Sequence, residues 1–150
     1  MPLGFEVEGS PQLDRLIQSL TKGLDTQSIL DEGAAVIFNR IRTRFIQELS
    51  PSGERWPPSK ASEHRAKVGA GGGILFATGK MFRSLQLYSV DDNTRAIGTN
   101  AESDLGFPYP LAMQFGWGHN ISRVFVGFAE EDRQFMSDLV VKRIGDWLNK

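Results

Sequence analysis

His64 and His119 are the only two histidines in this 150-residue chain, which contains no cysteine. Histidine is the side chain whose charge changes near neutrality, so a general base or neutral metal ligand is first sought there. Neither residue has a companion at ligand spacing, and both read as surface or turn residues. The missing cysteines remove disulfide scaffolds, thiolate zinc sites and cysteine nucleophiles together, and the chain suits a reducing cytoplasm. Glu130, Glu131 and Asp132 could serve as a catalytic pair or a cation site, yet three acids opening a C-terminal helix are more simply explained by the helix dipole. The run Gly69-Ala70-Gly71-Gly72-Gly73 lacks the Gly-Lys-Ser/Thr ending of a phosphate loop, and no apolar strand leads into it. No nucleophile stands with a placed base, and no metal set has a recognisable spacing. The expectation is a protein that is not an enzyme, with no cofactor and no metal.

Charge and aromatic residues point instead to binding. The chain carries 17 basic and 18 acidic residues, so no global field advertises nucleic acid. The balance is uneven along it: residues 1–50 and 101–150 each have 5 basic and 7 acidic residues, whereas residues 51–100 have 7 and 4. Most of the positive excess lies between Arg55 and Arg83, in a stretch rich in Gly, Pro and Ser. Residues 51–77 therefore read as a long exposed loop. Trp56 inside it either tucks into the core or anchors a partner. A protein interface is expected at Trp56, Pro57, Lys60, Arg65 and Lys67, with Trp117 and Arg123 beyond. On that reading Trp56→Ala leaves a folded chain that fails to assemble. The alternative is a nucleic-acid-binding module that uses the Arg55 to Arg83 segment, with Trp56 and Phe82 as stacking groups.

The elements that must position these residues follow from periodicity. With 40% apolar residues the chain suits one domain over residues 1–150. No run of about 18 apolar residues occurs, so no membrane span is expected. Residues 1–24 suggest a short strand, at Phe5-Glu6-Val7-Glu8, and a helix from Pro11 that stops at Gly23. Asp25 then caps a long helix on which Leu30, Ala34, Ile37, Phe38, Ile41, Phe45 and Leu49 recur at three- and four-residue spacing, until Pro51. Arg40, Arg42 and Arg44 alternate around it and read as solvated flanks. Thr78 is expected to cap a short helix with Met81, Phe82 and Leu85 inward. A hairpin of residues 85–90 and 94–99 follows, and it needs a third strand, from the N-terminus or a later segment. Leu111, Met113 and Phe115 are expected to pack a short helix against the sheet, closed by Gly116. Arg123-Val124-Phe125-Val126-Gly127 is expected to return to the sheet, ahead of a terminal helix. The fold class is α+β: a long helix and a C-terminal helix on a small antiparallel sheet, with a long Gly/Pro-rich loop.

Five short motifs come in a fixed order: Gly53-Glu54-Arg55-Trp56-Pro57-Pro58-Ser59, Ile74-Leu75-Phe76-Ala77-Thr78-Gly79-Lys80-Met81, Ala96-Ile97-Gly98-Thr99-Asn100, Gln114-Phe115-Gly116 and Arg123-Val124-Phe125-Val126-Gly127-Phe128. Their order from about Asp25 to Lys150 resembles the bacteriophage virion morphogenesis family, the tail-completion or neck proteins of Mu-like and related tailed phages. In two places the chain departs from that pattern: Ile121-Ser122-Arg123 lacks its proline, and Tyr109-Pro110-Leu111-Ala112-Met113 replaces its Tyr-Ala. The resemblance implies a structural protein of the virion, made in the host cytoplasm and added at the head-proximal end of the tail or in the neck. Its implied partners are the tail terminator or tube, the head-tail connector and further copies of itself in a ring, six-fold by the symmetry of the tail, with DNA passing through.

Overall fold

The computed structural model describes residues 22–150 together with Arg15, Gln18 and Ser19. The strand expected at residues 5–8 and most of the helix expected from Pro11 lie outside the described residues; Lys22 and Gly23 are helical.

Helix α1, Thr26–Gln47, is the spine. Asp25 caps it, its Oδ1 accepting from the Ser28 N–H at 3.0 Å. Ile29, Gly33, Ile37, Ile41, Arg44 and Phe45 form its buried stripe. At Gly33 a Cβ would run into the Met136 sulfur, so the missing side chain lets the terminal helix lie close. The helix ends before Pro51, because Glu48 takes the left-handed conformation at φ 60°. That geometry costs a non-glycine residue on the order of 1 kcal/mol. Two contacts offset it: the Glu48 carbonyl accepts from the Trp56 N–H at 2.8 Å, and its carboxylate accepts from the Ile74 N–H at 2.7 Å.

Glu48 thus turns the chain back, and Leu49 bridges to Arg55 around a tight turn at Gly53. Trp56 lands against Phe45, ring centroids 5.3 Å apart and edge to face. The exposed loop expected over residues 51–77 is interrupted by helix α2, Lys60–Lys67. Ser59 and Ser62 close a reciprocal capping box at 3.0 and 2.9 Å. Helix α2 buries none of its residues, so no apolar stripe marks it in the sequence.

The short helix α3, Lys80–Arg83, begins one residue later than expected. Gly79 is its N-cap residue at φ 74°, and Thr78 contributes only a 3.3 Å contact to the Lys80 N–H. Strands β1, Leu85–Asp91, and β2, Thr94–Thr99, form the antiparallel hairpin, with Leu87 opposite Ile97 and a bulge between Ser89 and Asp91. No third strand joins it among the described residues. Residues 123–127 have no regular secondary structure, with a bend at Val126, and do not enter the sheet. Helix α4, Tyr109–Phe115, ends at Gly116 with φ 73°. Helix α5, Glu130–Leu148, packs along α1, and the hairpin packs on α1 as well.

The core cluster is Phe45, Trp56, Met81, Leu85 and Phe125, with Phe82 and Met113 packed beside it. A second buried centre is ionic. Asp132 is 0% exposed; its Oδ2 meets Arg44 Nη2 at 2.9 Å and the Ala129 N–H at 2.9 Å, while its Oδ1 meets Arg40 Nη1 at 3.2 Å. Arg44 also donates to the Gly127 carbonyl at 3.1 Å. The solvated-flank expectation therefore fails at Arg44, which falls on the buried stripe three residues after Ile41. Arg42 lies over the Phe82 ring at 4.7 Å. The acids opening α5 favour the helix dipole, and Asp132 in addition clamps α5 to α1.

Candidate assembly interface

The Arg123 guanidinium binds together two segments that the sequence keeps far apart. Its Nε donates to the Pro57 carbonyl at 2.7 Å, its Nη2 to Pro58 at 2.9 Å and its Nη1 to Ile121 at 3.0 Å. Arg123 is 3% exposed and forms no ion pair among the described residues. Burial pulls its pKa down, as expected for a cation held only by carbonyl dipoles.

Around Arg123 opens a groove of about 530 Å³. Lys60 and Arg65 of α2 stand on it with Arg123, and Ile74, Leu75 and Met81 supply apolar surface. Tyr109 lines the same groove, and burial raises the pKa of its phenol. No aspartate or glutamate among the described residues lines the groove. Arg65 donates through Nη2 to the Gly73 carbonyl at 2.7 Å, while its buried Nε has no partner. The seven ion pairs of the described residues involve none of Lys60, Arg65 and Arg123. Three positive charges thus face one cavity without a counter-charge among the described residues.

Of the residues singled out from the sequence, Lys60, Arg65 and Arg123 meet at this groove. The Pro57 carbonyl braces it through Arg123. Lys67 is exposed at the end of α2 and is not among the lining residues. Trp56 is buried, and its indole N–H donates to the Val124 carbonyl at 3.1 Å. Phe82 packs against Phe45 and Phe76. The two rings offered as stacking groups for nucleic acid are therefore both engaged within the fold.

Trp117 belongs to a different surface. It is 63% exposed and lies 5.9 Å from the ring of Phe107. Leu105 is 96% exposed and Phe115 is 73% exposed, and Leu111 shares the outer face of α4 with Phe115. The packing of Leu111 and Phe115 against the sheet is corrected by helix geometry: Met113 lies about 200° around the axis from each of its expected companions, so only Met113 turns inward to the core cluster. The i, i+4 spacing of Leu111 and Phe115 was the available signal for this outward ridge. The turn from Gly116 to Ser122 joins the two surfaces, since His119, Asn120 and Ile121 line the groove while Trp117 points to the ridge. His64 lies on α2 and His119 in this turn, so no pair of histidines forms a site.

The small α+β subunit thus carries a cationic groove and, around α4, exposed apolar side chains. Residues 9–103 match the phage virion morphogenesis family, and the chain belongs to that family. That segment runs from before α1 to just past the hairpin, so α4, the ridge and α5 lie beyond it. Comparison with curated proteins and with solved structures returns no significant match in either set. Among the described residues no helix is long and apolar enough to cross a membrane.

Proposed function

We propose that this chain is a structural, non-enzymatic component of the virion, added at the head-proximal end of the tail or in the neck, where it completes the tail and joins it to the capsid as a closed ring. The observation that carries the reading is the exposed apolar side chains around α4, Leu111 and Phe115 one helical turn apart and Phe107 against Trp117. Single exposed apolar side chains are ordinary, but several brought together on one subunit mark a surface that another protein covers. Family membership supplies the context of virion assembly. A tail of cyclic symmetry with a DNA passage favours a ring over a pairwise dimer.

The test uses tails produced without this protein, to which purified protein is returned. Electron micrographs should show added density at one end of the tail, and head joining should resume. Native mass spectrometry of the detergent-released density should give one closed stoichiometry. Density along the whole tail, or none, would overturn the placement. Head joining without any ring would overturn the stoichiometry alone.

A further inference from the structure

The geometry points to a head-to-tail contact in which the tip of the β1–β2 hairpin of one copy seats in the cationic groove of the next. It rests on the ring reading and identifies the two surfaces that build the ring. The groove has apolar surface at Ile74, Leu75 and Met81 with positive charge at Lys60, Arg65 and Arg123, and no carboxylate from the described residues. Its occupant should carry the converse, apolar side chains beside carboxylates.

The hairpin tip has that composition. Tyr88 and Val90 are 52% and 57% exposed on the outward side of β1, and Asp91 and Asp92 follow at the turn. The tip is ordered before binding: Asp91 Oδ1 accepts from the Asn93 N–H at 2.8 Å, and Arg95 Nη1 donates to the Asp91 carbonyl at 2.9 Å. An ordered tip loses little conformational freedom on docking. Arg95 is the cation nearest the tip, and it is already paired with Asp31 at 2.6 Å. Asp92 has no ion pair among the described residues. Glu130 faces Arg133 and Glu131 faces Arg44, whereas Glu54, Glu63, Glu102 and Asp104 are exposed without an ion pair among the described residues; the tip differs in carrying its carboxylates on a hydrogen-bonded hairpin beside Tyr88 and Val90. No hairpin residue lines the groove, so the two surfaces are separate on one copy. A contact between different surfaces of identical subunits is heterologous, and it closes into a ring when the rotation between neighbours permits.

Charge reversal tests this directly, by native mass spectrometry and sedimentation at low and high salt. Lys60→Glu with Arg65→Glu makes the groove acidic, and Asp91→Lys with Asp92→Lys makes the tip basic. Each double variant should lose self-association by roughly tenfold or more. Mixed in equal amounts, they should reassociate in strict alternation, because each groove then meets a tip of opposite sign. Lys60→Glu alone, at an exposed side chain without an ion pair, serves should the double groove variant fail to fold, and should weaken association in the same direction. Wild-type chain that stays monomeric, association indifferent to either reversal, or a mixture that does not recover would each overturn the contact. So would a groove variant that self-associates normally but no longer joins tails, which would give the groove to another virion protein, or one that loses only binding to a DNA duplex. Rings that form normally on tails from both reversed variants would sink this contact and leave the ring standing; single copies on tails would sink the ring.

Discussion

The side-chain amide of Gln114 pairs with the backbone of Val126 as a neighbouring strand would. Its Oε1 accepts from the Phe125 N–H at 2.9 Å and the Val126 N–H at 3.2 Å, and its Nε2 donates to the Val126 carbonyl at 2.7 Å. Only this orientation of the amide satisfies all three groups. Residues 123–127 are therefore held against α4 without joining the sheet, and Phe125 is delivered to the core. The Gln114-Phe115-Gly116 motif gains a physical reason: one residue substitutes for a strand edge, the next faces outward, and the last turns the chain.

Gln114→Leu should lower stability by about 2 kcal/mol, because it strands two N–H groups and a carbonyl that are partly shielded from water. Gln114→Glu should cost less, since it keeps both acceptor contacts and loses only the donor. Thermal unfolding of the two variants would check the order; equal losses would show that the two acceptor contacts contribute nothing.

Asp132 gives the fold a defined response to acid. Burial acts to raise its pKa, but the hydrogen bonds from Arg44, from the Ala129 N–H and from Arg40 together outweigh it and hold the carboxyl below its ordinary value. The unfolded chain then binds the proton more readily than the folded one, so stability rises with pH across this range. The contribution is complete above the unfolded value of about 4 and drains away as pH falls through the lower folded value. Asp132→Asn should destabilise the protein by about 3 kcal/mol at neutral pH, because buried Arg44 keeps only the exposed Glu131 as a counter-charge, and should flatten the acid limb. Urea unfolding from neutral to acid pH reads both; an unchanged acid limb in the variant would assign the response to other carboxylates.

What the sequence disclosed, and what it withheld, follows from how each feature is encoded. Helix α1 was legible because its apolar stripe repeats at helical spacing and Asp25 announces its start. The hairpin was legible from alternation on either side of Asp91-Asp92-Asn93. Helix α2 was not, because it buries nothing and so carries no periodic signal; only Ser59 and Ser62 at capping-box spacing marked it. Arg44 on a solvated flank is corrected, and the burial of Arg123 goes unsignalled, for a related reason: a buried arginine is recognised by its partners, and those lie at Asp132 and at the carbonyls of Pro57 and Pro58, far away in sequence. Lys60, Arg65 and Arg123 were named from residue type alone. Their convergence on one groove depends on the turn at Glu48, which no local pattern foretells.

Gly116 is the hinge between ridge and groove. Its φ of 73° suits glycine, and a Cβ there would lie 2.8 Å from the Ser122 N–H nitrogen and 3.1 Å from the Asn120 carbonyl oxygen. These neighbours are backbone atoms and cannot swing aside. Gly116→Ala should cost about 2 kcal/mol, combining left-handed strain with a displaced turn. Gly118, with φ 70° and nothing within 4 Å of a Cβ, should be milder on substitution by alanine. A calorimetric comparison decides it: equal losses would mean that the backbone conformation alone matters, and the crowding at Ser122 does not.

Trp56 and Trp117 should separate folding from assembly. Trp56 sits edge to face against Phe45 within the core, so Trp56→Ala removes packing and a hydrogen bond together and should cost about 3–5 kcal/mol. Its failure to assemble would then be a failure to fold, contrary to what its place in a Gly/Pro-rich segment suggests. Trp117 is largely exposed, and its only ring neighbour among the described residues is Phe107, so Trp117→Ala should leave thermal stability within about 0.5 kcal/mol. If the ridge docks on the tail, the same change should weaken attachment by about 2 kcal/mol, the effect of losing a central aromatic anchor. Near-ultraviolet circular dichroism and tail rescue, measured on both variants, give a two-by-two outcome. A folded Trp117→Ala protein that rescues tails at the wild-type concentration would remove the ridge from the interface, and a stably folded Trp56→Ala protein that fails to attach would return Trp56 to it.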